Sequence, residues 1–144
     1  MPIGTRVKTE QDPVSLHEYV LRRIHQNMFS AGQPLPSRLA FRPTKHDTEG
    51  ISVFREEFVS PKELAGAGRK PGEYYIARLS IQELKDILGL SVIPDPDDSQ
   101  PPGHALIPEL KTSTPNRTAK ELHLKLAALA SKSIVHRPES NQNR

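Results

Sequence analysis

The sequence predicts an α+β fold: a small mixed or mainly antiparallel sheet flanked by N- and C-terminal helices. Three observations point there. Short β-type segments alternate with helix-type segments in the order α-β-β-α-β-α-β-β-α. At 144 residues the chain suits one domain, and no linker is long enough to separate two cores. Its 14 prolines bracket short strands and helix starts rather than forming one low-complexity tract. The expected layout is a flexible N-terminal arm over 1–11, one globular α+β domain over 12–135, and a flexible basic C-terminal tail over 136–144.

Residues 1–11 carry no hydrophobic periodicity, hence the arm. Asp12-Pro13 reads as an N-cap followed by proline at the first helical position. Leu16, Val20, Ile24 and Met28 then recur every four residues, with Glu18, Arg22 and Gln26 opposite, so the spacing predicts an amphipathic helix over 13–28. Gly32, Pro34 and Pro36 make 30–37 a loop. Arg38 to Arg42 alternates and stops at Pro43, which reads as a strand, and Ile51 to Phe54 reads as a second, joined to it by a hairpin through T-K-H-D-T-E-G.

Ser60-Pro61-Lys62-Glu63 is a capping box, whose serine and glutamate satisfy each other's backbone donors, and Gly66 and Gly68 end the short helix it opens. Glu73 to Leu79 is the best strand-type run. Ser80-Ile81-Gln82-Glu83 opens a helix that stops at Gly89, and Leu90 to Ile93 reads as a strand ended by Pro94. Asp95 to Gly103 (D-P-D-D-S-Q-P-P-G) is an exposed loop, and His104 to Ile107 a short strand closed by Pro108. From Pro115 or Asn116 a last helix carries the stripe Ala119, Leu122, Leu126, Leu129 and Ala130, with Lys120, His123 and Lys125 off it. Ser140 to Arg144 has a disordered composition.

The absence of cysteine excludes a disulfide framework, a thiolate zinc site, an iron–sulfur cluster and a cysteine nucleophile. No apolar run approaches the ~20 residues of a membrane span, and the polar start has no signal-type apolar core. The expectation is a soluble cytoplasmic protein with no membrane partner. The net charge of +3 is unevenly spread. Residues 1–111 hold 14 basic against 15 acidic side chains, whereas 112–144 hold six against two. Any electrostatic partner is therefore expected at the C-terminal end.

Glycine-rich phosphate loops, H-E-x-x-H and G-x-S-x-G are all missing, so no cofactor is expected and the familiar enzyme classes fall away. Three groups of side chains remain. His46 and His104, at loops bordering strands, are a general acid–base pair for metal-free cleavage of a phosphate-containing substrate such as RNA or a nucleotide, with Arg42 to neutralise the phosphate. The bland alternative is two ordinary loop histidines that never meet. Asp95, Asp97 and Asp98 are weak ligands for a divalent cation, since the spacing is not that of an EF-hand and the prolines explain the loop as rigid and solvated. Lys120, Lys125 and Lys132, with Arg137 beyond them, form a basic side for an acidic protein surface or a nucleic acid. The alternative there is a solvated helix face. Chemistry alone favours a non-enzyme that binds a protein partner, with nucleic-acid binding by the basic helix as the other alternative.

Phe41 to Phe54 (F-R-P-T-K-H-D-T-E-G-I-S-V-F), Arg78 to Leu90 and Pro102 to Ile107 (P-G-H-A-L-I) together resemble an uncharacterised family of small bacterial proteins. In that family an F-x-P…D-x-x-G-[LI]-S-V stretch precedes a G-H-A-x-I strand. The resemblance implies an accessory protein that travels with larger partners in multi-gene systems such as defence loci. It implies no catalytic residue, and groups Asp47, Gly50, Ser52 and His104 into one structural signature.

Overall fold

Six strands form one sheet in the computed structural model, which describes residues 8–29, 36, 38–44, 47–111 and 116–138, without the side chains of 38–39 and 116–119. The strands are β1 (Tyr19–His25), β2 (Ile51–Arg55), β3 (Tyr74–Ser80), β4 (Ile93–Pro94), β5 (His104–Ile107) and β6 (Ile134–His136). The helices are α1 (Pro61–Gly66), α2 (Ile81–Leu88) and α3 (Asn116–Ser131). Across the sheet the order is β4-β5-β2-β1-β3-β6, and every neighbouring pair is antiparallel. The fold is thus α+β on an antiparallel sheet, as the sequence predicts, but of the two expected flanking helices only the C-terminal one forms.

The N-terminal helix is a strand. Spacing of four residues fits two periods at once, because i and i+4 share a face in a helix and also in a strand. Here the strand period wins, since both faces of β1 are covered. Val20 and Ile24 pack into the larger core with Phe41, Ile51 and Leu126, while Leu21 packs into a second core with Phe54, Leu64 and Ile76. Arg22, read as the polar side of a helix, lies between Val20 and Ile24, where its guanidinium donates to the carbonyls of Ala40 and Ser52. Leu16 and Met28, the ends of the supposed stripe, are exposed.

Three other elements differ from expectation. Arg38–Phe41 is a 3-10 turn and not a strand, and the hairpin to β2 does not form. Ala40 and Phe41 are consecutive yet both buried in the larger core, which a turn permits and strand alternation does not. Leu90, just past the end of α2, donates its N–H back to the Leu84 carbonyl, so β4 begins later than expected, at Ile93. His136, the start of the expected tail, ends β6, whose Ile134 and Val135 reach opposite cores. Residues 8–11 are likewise tied to the body, through Lys8 and Glu10.

Both N-terminal signals hold. Ser60 and Glu63 form the reciprocal capping box of α1, and Ser80 Oγ accepts from the Glu83 N–H at the start of α2. One face of the sheet, with α2 and α3, encloses the larger core. The other carries α1, which packs on β1, β3 and β6. Phe54 of β2 joins that packing through Leu64 and Ala65 of α1. No helix among the described residues is long and apolar enough to cross a membrane.

Candidate functional site

The β2–β5 junction depends on two glycines that allow its backbones to approach. Gly50 (φ +139°) would place a Cβ 2.6 Å from the Ile107 carbonyl oxygen, and Gly103 (φ +85°) one 2.9 Å from that of Arg55. Only glycine combines that closeness with a positive φ. The register then sets Ser52 opposite Leu106 and Phe54 opposite His104, while Ile93 of β4 lies opposite Leu106. Directly paired residues share a face. Ile51, Val53, Ala105 and Ile107 point into the larger core, so Ser52, Phe54, His104 and Leu106 occupy the other face.

On that face Ser52 of β2, His104 of β5 and Asp95, just beyond β4, make a directed chain. His104 Nδ1 lies 2.8 Å from the Asp95 carbonyl oxygen and 3.2 Å from Asp95 Oδ2, and His104 Nε2 lies 2.8 Å from Ser52 Oγ. A carbonyl oxygen can only accept, so Nδ1 carries the hydrogen. Nε2 is then left with its lone pair toward Ser52, whose hydroxyl donates to it. His104 is buried and packs edge-on against Phe54, with ring centroids 5.3 Å apart. Ser52 is partly exposed and the Asp95 side chain is half exposed. This is the donor–acceptor order in which a hydroxyl loses its proton to an imidazole held by a third group.

Beside this chain lies a buried ion pair. Arg55 donates from Nε to Glu18 Oε1 and from Nη2 to Glu18 Oε2, each at 2.8 Å. Its remaining donors reach the carbonyls of Glu10, Asp12 and Pro13. Burial alone would raise the Glu18 carboxyl, but hydrogen bonds from Arg55, the Ser15 N–H and Lys8 outweigh it and hold it at about 2. Glu10 completes the clasp by accepting from the Gly103 N–H at 2.7 Å. Segment 8–18 is thereby fastened to the β2–β5 junction. On the opposite face, burial lowers the Arg22 guanidinium to about 10, against the pull of Asp47.

The residues singled out in the sequence have different surroundings. His46 lies outside the described residues, and Arg42 is exposed. His104 has both ring nitrogens engaged, so its proton chemistry is directed at Ser52. Of the three aspartates, Asp95 joins His104, whereas Asp97 accepts from the N–H and hydroxyl of Ser99 within the loop. Among the described residues no group of three or more acidic or histidine side chains could hold a metal ion. Lys120 and Lys125 are exposed on α3, Lys132 just past its end, and Arg137 just beyond β6. His123, expected off the apolar stripe, is buried with Leu126 and Ala130, because the buried arc of α3 is wider than the leucines alone mark.

Sequence reasoning treated Ser52 only as an alternating strand residue and Glu18 and Arg22 as helix surface. The one signal pointing to the junction was the grouping of Gly50, Ser52 and His104 in the resemblance, which contact geometry now explains. Comparison with protein-family models, curated proteins and solved structures returns no match to this chain. Function is therefore read from these geometries themselves.

Proposed function

We propose that the protein is a small accessory module that docks an acidic protein partner through the outer face of α3. The observation that carries this reading is the composition of the helix's exposed arc. At 100° per residue, Lys120, Glu121, Leu124, Lys125, Ala128 and Lys132 share one side of α3, and all are exposed. Leu126, Ala127 and Ala130 are buried on the other side. Leu124 is 52% exposed at the middle of that arc, flanked by lysines that make no ion pair among the described residues. A protruding leucine on an arc with three lysines and one glutamate suits a protein surface with an apolar dimple and a mainly acidic rim. A single-stranded nucleic acid would call for aromatic platforms, and the chain has no aromatic residue after Tyr75.

The test is affinity capture from the source lysate with the tagged chain and with Lys120→Glu/Lys125→Glu/Lys132→Glu. A protein captured by the first and released by the second supports the reading. Capture that survives charge reversal, or none by the unmodified chain, overturns it. Bound nucleic acid lost steeply with salt would point instead to phosphate contacts.

A further inference from the structure

We propose that Ser52 is an acyl-accepting nucleophile, activated by His104 and Asp95, for carboxylic esters with an apolar acyl group. Three observations on the Ser52 face of the sheet converge on it. The hydroxyl is 2.8 Å from an imidazole nitrogen whose partner nitrogen is fixed 2.8 Å from the Asp95 carbonyl and 3.2 Å from its carboxylate. That arrangement holds the neutral ring in the tautomer that can accept the serine proton. Ser52 is partly exposed while His104 is buried, so the nucleophile faces solvent and its base is shielded from it. Finally, Ser52 stands in one cross-strand row with Leu106 and Ile93, and Ile93 is 44% exposed. This row sets two apolar side chains between the hydroxyl and the sheet edge, the side on which an apolar acyl group would lie.

The step balances within the chain and its substrate. Ser52 Oγ forms a bond to the ester carbonyl carbon as its proton passes to His104 Nε2. The carbon–alkoxy bond then breaks, and the alcohol leaves with that proton. Water attacks the acyl-serine with His104 again as base, releasing a carboxylic acid and restoring the hydroxyl. Asp95 touches no reacting atom and is a positioning residue for the ring. This activity goes beyond docking and is separable from it, because Ser52 lies on the sheet face opposite α3.

The experiment is labelling of the full chain with an alkyl fluorophosphonate, which forms a phosphorus–oxygen bond and expels fluoride, followed by peptide mass spectrometry. The expected result is a single adduct on Ser52. His104→Gln should slow labelling by a factor of about 100 or more, the range of a lost general base. Asp95→Asn, which keeps the carbonyl acceptor, should slow it less and shift its pH profile. Ser99→Ala should leave it unchanged. An independent readout is a burst of p-nitrophenolate from p-nitrophenyl butyrate equal to one per chain. The unmodified protein alone can overturn the proposal, by taking no label or by spreading it evenly over its serines.

Discussion

Glu18 and Arg55 hold two opposite charges away from water, with side chains 3% and 0% exposed. Such a pair adds little over an apolar substitute, but removing one member strands the other. Glu18→Ala should therefore cost about 3–5 kcal/mol in denaturant unfolding, and should loosen segment 8–18 by hydrogen exchange. The pair also sets an acid limit. With its folded carboxyl at about 2 against an ordinary 4.5, Glu18 contributes stability that is complete above pH 4.5 and lost as pH falls toward 2. The thermal midpoint should fall across that window in the natural chain and more shallowly in Glu18→Gln. Ser52 and His104 are coupled differently, by a neutral hydrogen bond on which the proposed chemistry depends. The two clusters meet at Gly103, whose N–H donates to Glu10 while its neighbour His104 turns toward Ser52.

Elements whose ends carry local chemistry were legible in the sequence, and elements defined by their neighbours were not. Ser60 and Ser80 announce α1 and α2 because a cap hydrogen bond needs only residues three apart. Ser60→Ala should accordingly cost about 1 kcal/mol, read as a shift in the unfolding midpoint. His104–Ile107 was visible because Gly103 and Pro108 bracket it. β1 was misread because a spacing of four serves helix and strand alike, and what decides is an α1 and an α3 on opposite faces. β6 is three residues paired to β3 and has too little sequence to announce itself. At the site the histidine could be seen but its partners could not, since Ser52 and Asp95 meet it only through sheet register. Gly50→Ala probes that register directly. A methyl 2.6 Å from the Ile107 carbonyl must push β5 from β2, so it should destabilise by more than the ~1 kcal/mol of a tolerated glycine change and lower Ser52 labelling with it.

At the scale of the whole molecule, the sheet divides two roles. One face is closed by α2 and α3, and the outer arc of α3 turns its lysines and Leu124 to solvent. The other carries α1 and the second core, and on the same face stand the partly exposed Ser52 and Leu106 and the exposed Ile93. Segmental charge agrees with this division, since the excess of basic residues lies beyond residue 111. Because the three lysines are exposed, reversing their charge should change stability by no more than about 0.5 kcal/mol, as expected of surface positions, while abolishing capture of the partner. The most direct measurement is hydrogen–deuterium exchange on the captured complex. Protection concentrated in peptides covering 120–132 is the predicted result. Protection confined to β4, β5 or the 95–103 loop, with α3 exchanging as in the isolated chain, would contradict the account.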